Sequence, residues 1–308
     1  VSSLVSKIGS LVLKNPVIAA SGTFGYGDEW DDFFDVTKLG AVSTKGLSLK
    51  PREGNPMPRI VETPSGMINA IGLQNIGVTA FIKDKLPRLE KRGVVVIANI
   101  FGNTLDEYVE IARRLASTSV AAIELNISCP NVKAGGMEFG NDPVLAAKVT
   151  DAVRQVFQGH LMVKLSPNVT DITQVAKAVE ASGADSLSLI NTLTAMAINT
   201  ATRRPMVANG VGGLSGPAIR PIAVRMVAQV YRSVKIPIVG IGGIGVLNDA
   251  LEFFIAGAAA VQIGTATFVD PRAPLNLVES LKSFMIKNNH KDLSEIMGTL
   301  QWNKEPSC

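Results

Sequence analysis

The chain has 308 residues, 46% of them hydrophobic and 18% charged, with a formal net charge of +4. That composition supports a sizeable buried core, and with only two cysteines, Cys129 and Cys308, it excludes a disordered, collagenous or disulfide-framed chain. The lysines and arginines are scattered rather than striped, with Lys91-Arg92 and Arg203-Arg204 among the few doublets, so small anionic ligands are expected and nucleic acid is not.

The opening stretch, "VSSLVSKIGSLVLKNPV", has lysines breaking its apolar residues, which is unlike a secretory signal; "SKIGSLVLKNP" within it reads as a short hairpin. Short β-branched runs then recur at 17–20, 40–44, 94–99, 121–126, 161–165, 185–190, 236–241 and 259–263, each followed by a loop and a longer amphipathic stretch. Helix punctuation fills the intervals. Thr104 to Glu107 forms a capping box, Asp142-Pro143 a cap and first-turn proline, Gly216-Pro217 a similar start, and Gly183 a stop. No run of about eighteen apolar residues occurs, so no membrane span is expected. Two distant cysteines form neither a disulfide framework nor a metal motif, which predicts a reducing cytoplasm and no metal site.

Strand and helix alternating eight times imply an α/β fold, a (β/α)8 TIM barrel in a single domain over 1–308, with the N-terminal hairpin plugging its floor. Two βα connections, 46–79 and 191–216, are long enough to be functional. The catalytic face of such a barrel lies at the carboxyl ends of its strands. Ser21, Lys45, Asn99, Asn126, Lys164, Asn191-Thr192, Gly242-Gly243 and Gly264-Thr265 follow or end successive runs and would ring that mouth. A lone Asn at such a place is more often a turn former than a ligand, and it is the set that points to a site. Lys164 is the sharpest case, because a lysine in "LMVKL" is costly to bury unless an anion or a structural ion pair meets it.

"GIGGIG" at 240–245 matches a dinucleotide fingerprint, but it follows the seventh strand rather than the first and lacks the later ribose-binding acid. A phosphate cradle formed by Gly242-Gly243 and Gly264-Thr265 at helix N-termini fits a monophosphate better. Cys129 sits before a proline in a loop after the fourth run, a poor place for a packing cysteine and a good one for a base.

"STKG", "NAIGLQN", "ELNISCPNVKAGGMEFG", "VKLSPN", "LINT", "GIGGI" and "QIGTA", in unbroken order from about Ser21 to Thr267, resemble the FMN-dependent dihydroorotate dehydrogenases of pyrimidine biosynthesis. The cysteine resembles the class 1 form. "SCPNVKAGGMEFG" and "KGLSLKPREGNPMPRI" resemble class 1B, whose catalytic chain pairs with a subunit carrying FAD and an iron–sulfur (2Fe-2S) cluster and passes electrons to NAD+.

The resemblance implies that Cys129 is the general base in the oxidation of dihydroorotate to orotate. It implies FMN binding by Ser21, Lys45, Gly46, Asn99, Asn126, Lys164, Ile190, Gly216, Gly242, Gly243, Gly264 and Thr265. It implies substrate binding by Lys45, the segment Asn69, Ala70, Ile71, Gly72 and Leu73, Asn126, Asn191 and Thr192. A dimer of catalytic chains within a heterotetramer is implied too. The alternatives are a fumarate-dependent class 1A enzyme, another FMN barrel such as a dihydrouridine synthase or a dihydropyrimidine dehydrogenase, and a non-redox barrel in which Lys164 forms a Schiff base.

Overall fold

The computed structural model describes residues 2–128 and 139–302. Eight parallel strands, β1 (Val17–Ala19), β2 (Ala41–Ser43), β3 (Val96–Ile100), β4 (Ala122–Asn126), β5 (His160–Lys164), β6 (Ser186–Leu189), β7 (Ile238–Ile241) and β8 (Ala260–Ile263), close into a barrel in chain order. Each lies within two residues of the run that predicts it. Closure is made by β8 on β1, with Val261 opposite Val17 and Gln262 opposite Ile18.

The barrel interior is filled in layers, because side chains two apart on a strand point the same way and alternate strands share a level. Ala41, Ala122 and Ala260 from even-numbered strands lie lowest; Ile18, Ile97, Met162 and Val239 from odd-numbered strands lie above them. The small alanines leave room for the hairpin of Ser6–Ile8 and Leu11–Leu13, which buries Ile8, Leu11 and Leu13 in the same cluster. Ser6 Oγ donates to the Ala259 carbonyl at 2.7 Å, fixing the plug to the floor. The next layer up, Ser43, Glu124, Ser188 and Gln262, is entirely polar and joined by hydrogen bonds.

Among the described residues, seven α-helices of six residues or more pack outside: α1 (Leu86–Lys91, preceded by a helical turn Val78–Ala80 and a π turn Phe81–Lys85), α2 (Leu105–Leu115), α3 (Pro143–Val156), α4 (Ile172–Ala181), α5 (Arg220–Tyr231), α6 (Leu247–Ala256) and α7 (Ala273–Lys287). Asp142 caps α3 as expected, accepting from the Val144 and Leu145 amides, and Gly183 follows α4 at φ 91°. The box before α2 is displaced by one residue: Thr104 Oγ1 accepts from the Glu107 amide, but Glu107 Oε2 accepts from Asn103.

Two expectations are corrected. The first unit carries no α-helix among the described residues; after β1 the chain makes only the short 3-10 turns Asp28–Trp30 and Val36–Lys38. Gly22, Gly25 and Gly27 all have positive φ there, which breaks any helix, and Phe24 stacked on Trp30 at 4.4 Å, with Phe34 against it, fills the space. Nor are the two long connections merely loops. They pair into an antiparallel sheet at the strands' carboxyl end, ordered Leu193–Ala195, Gly212–Ser215, Gly66–Asn69, Ile60–Thr63.

Candidate active site

That added sheet gathers residues more than a hundred positions apart. Gly213 lies opposite Asn69 on one side and Thr194 on the other, and Asn69 Nδ2 donates to the Gly213 carbonyl at 3.3 Å. Asn69 therefore stands beside Asn191 and Thr192, which leave β6. Asn191 Nδ2 reaches Asn126 Oδ1 at 3.4 Å, and the Asn191 amide bonds the Leu165 carbonyl. Three of the expected amides, at 69, 126 and 191, thus face one end of the barrel.

The segment after Asn69 is bent around Asn55, whose Nδ2 donates to the Ala70 carbonyl and whose amide donates to the Ile71 carbonyl. Gly72 and Leu73 follow at φ 74° and 60°. A Cβ on Gly72 would stand 2.5 Å from Asn55, so only glycine fits there.

Lys45 is held through its amide, which bonds the Gly25 carbonyl. Burial pushes the Lys45 ammonium below its ordinary pKa, and the Arg59 guanidinium adds to that, while Glu29 opposes it. The Arg59 guanidinium itself donates to Gln74 Oε1 at 3.1 Å. Arg59 is absent from the expected set; "PMPRIV" offers nothing to distinguish it until the sheet brings it near Lys45.

Lower in the mouth lie Asn99 on β3 and Lys164 on β5, both buried, with Gly46 against Asn99. Asn126 pairs in register with Lys164. Glu124, two residues before Asn126, is fully buried. Its Oε2 accepts from Ser43 Oγ and Asn99 Nδ2, both at 2.7 Å; its Oε1 accepts from Ser188 Oγ at 2.8 Å and Gln262 Nε2 at 2.7 Å. Burial alone would raise the Glu124 pKa, but the charge of Lys164 and these bonds outweigh it and hold the carboxyl below its ordinary value. Glu124 is the second residue missed. The apolar look of "AAIELN" conceals it, although a carboxylate inside a buried strand is itself a signal.

The glycine loops converge on the other side of the mouth. A Cβ on Gly243 would lie 2.7 Å from the Gly216 carbonyl oxygen, and one on Gly216 would lie 3.5 Å from Thr265 Cγ2. Thr265 Oγ1 donates to Ser215 Oγ at 2.8 Å. Ile190 flanks Gly242, and Ala20, next to Ser21, flanks Gly264. The arrangement differs from the expected one at its helix ends. Gly264 opens a 3-10 turn, Thr265–Phe268, and the start of α6 beyond Gly242-Gly243 is closed by Asp249 Oδ2, which accepts from the Gly245 and Val246 amides.

Cys129 lies outside the described residues, as do Gly135 and Gly136. Its neighbour Ser128 is tied to the mouth: the Ser128 amide donates to Asn126 Oδ1 and its hydroxyl to the Lys164 carbonyl, each at 3.2 Å. A separate cavity of about 570 Å³, lined by residues including Leu49, Ile76, Lys83 and Arg114, contains none of the expected residues.

The dihydroorotate dehydrogenase family model matches residues 3–285. The chain belongs to that family. It is 58% identical to a protein of Trichlorobacter lovleyi named dihydroorotate dehydrogenase B (NAD(+)), catalytic subunit, over 96% of this chain and 97% of that one. Proteins of the same name from Geotalea uraniireducens and Thermoanaerobacter sp. are 55% and 52% identical, covering 96% and 97% of this chain and 97% and 99% of theirs. Family membership makes this chain an enzyme of the dihydroorotate dehydrogenase type. No helix among the described residues is long and apolar enough to cross a membrane.

Proposed function

We propose that the chain is a single-domain catalytic subunit of an NAD+-linked dihydroorotate dehydrogenase. It oxidises (S)-dihydroorotate to orotate in cytoplasmic pyrimidine synthesis and works with a partner chain that relays electrons. The observation that carries this reading is the convergence at one mouth of a half-buried lysine, a ring of amides and a glycine cradle. Its support from relatives is the name they share.

The residues fit FMN. The loops of Gly216 and Gly243 pack so closely that the Cβ position of Gly243 lies 2.7 Å from the Gly216 carbonyl oxygen, with Thr265 beside Gly216; backbone gathered there without side chains suits the close approach of a phosphoryl group. Asn99 Oδ1 is buried with no partner among the described residues, an acceptor available to a ring N–H. Ser21, Gly46, Ile190, Gly242 and Gly264 would line the remainder. Bound there, FMN supplies the acceptor for the hydride leaving substrate C6.

The chain's own residues do the rest. Lys45 holds the substrate carboxylate together with the backbone amides of Ile71, Gly72 and Leu73. Asn69, Asn126, Asn191 and Thr192 offer both donors and acceptors to a ring that alternates N–H and C=O. Cys129, one residue beyond Ser128, takes the proton from substrate C5 as a thiolate, for which an ordinary pKa of about 8.5 is serviceable. Lys164 opposes the negative charge that the site gains on reduction.

The test is to release the pigment from purified protein and identify it, then assay NAD+ reduction by dihydroorotate with and without the co-expressed partner chain. FMN in this chain and partner-dependent NAD+ reduction are expected. A colourless protein, or one using fumarate unaided, contradicts the reading.

A further inference from the structure

Glu124 stands apart from the groups that would touch a ligand. It lies in the polar layer under the mouth, its four donors come from β2, β3, β6 and β8, and every one of them is neutral. Each carboxyl oxygen meets one amide NH2, which can only donate, and one serine hydroxyl; these four bonds and the Lys164 charge together favour the ionised form over the acid. A buried anion needs a counter-charge. The charged group acting on it is Lys164, buried on the adjacent strand in the layer above.

Two amides are also oriented. Asn99 and Gln262 each turn their NH2 to Glu124, and each is left with a buried carbonyl oxygen that has no partner among the described residues. Inverting either amide would set an oxygen against the carboxylate. The carboxylate thereby determines which face Asn99 presents to the mouth.

We propose that Glu124 is a positioning residue: its ionised carboxylate fixes the Lys164 ammonium and the Asn99 amide at the base of the cofactor cavity. The inference deepens the function proposed above and rests on it for the identity of the ligand. The arrangement makes the barrel's polar layer part of the active site rather than part of its packing. It also explains why a layer that branched apolar residues fill in most such barrels is polar here.

Two substitutions separate charge from shape. Glu124→Gln keeps the shape and removes the charge; Glu124→Asp keeps the charge and shortens the reach. In flavin-free protein labelled with 13C-lysine, the Lys164 side-chain signal, assigned by its loss in K164M, is expected to move in E124Q and to stay near its wild-type position in E124D. In FMN titrations of the apoproteins, affinity is expected to fall about tenfold in E124Q and less in E124D. Combining E124Q with K164M should then weaken binding by less than the product of the two single effects. An unmoved Lys164 signal in E124Q overturns the proposal, as does weaker binding in E124D than in E124Q, the ranking that packing alone would give. Should the lysine signal move as expected while wild-type protein takes up no FMN, the functional reading fails and the positioning of Lys164 by Glu124 stands.

Discussion

Gly243 and Gly216 meet so closely that a methyl group on the first would stand 2.7 Å from the carbonyl oxygen of the second. They come from loops after different barrel strands, and in the proposed function their contact is one wall of the phosphoryl cradle.

Gly243→Ala should lower apoprotein stability by about 1–3 kcal/mol, because Gly243 sits at φ 71°, and should weaken FMN binding more than tenfold. Gly93→Ala is the control. Gly93 has φ 77° and nothing within 4 Å, so it incurs similar backbone strain and leaves FMN affinity unchanged. Thermal melts and fluorescence titrations of both variants separate strain from collision.

Cys129→Ala should retain FMN and lose on the order of 10²–10⁴ in turnover with dihydroorotate, the usual contribution of a positioned base. Turnover close to wild type in that variant would remove the thiol from the mechanism.

Lys45→Met removes a charge-assisted bond worth about 1.5–3 kcal/mol, so KM for dihydroorotate and the dissociation constant for orotate should rise roughly ten- to a hundredfold. Dihydroorotamide, which lacks the carboxylate charge, should be a poor substrate of the wild type and lose little further in the variant. Steady-state kinetics with both compounds check this.

Acid stability has a marker at the barrel floor. His160 is buried between Ser10 Oγ at 3.1 Å and Ser186 Oγ at 2.8 Å. Burial pushes its pKa down, Asp185 opposes that and Arg154 adds to it, and the net is a lowered value. The unfolded chain, with a histidine pKa of about 6.5, then binds the proton more readily than the folded one. Stability attributable to His160 is full above about pH 6.5 and is lost as pH falls through the lower folded value. Denaturant titrations between about pH 5 and 7.5 should show that slope in wild type and a shallower one in His160→Gln.

Much of the architecture was legible in the chain. The eight β-branched runs, the cap at Asp142 and the stop at Gly183 are local signals, and local geometry obeys them. The ring of polar strand ends was legible for the same reason, since parallel strands all deliver their last residues to one face. What escaped was long-range. Ile60–Thr63 and Leu193–Ala195 carry little pattern on their own, and only pairing through Gly66–Asn69 and Gly212–Ser215 makes them strands. Arg59 and Glu124 escaped likewise, because their chemistry arises from neighbours supplied by other segments. The missing first helix was partly legible in "SGTFGYG", whose glycines interrupt any periodic run.

The most direct test of the central claim is to mix the purified, FMN-loaded protein anaerobically with a slight excess of substrate and follow the flavin absorbance. Bleaching by (S)-dihydroorotate with stoichiometric formation of orotate, and none by dihydrouracil, is the predicted result. A flavin that keeps its colour with dihydroorotate, or bleaches equally with dihydrouracil, contradicts the account.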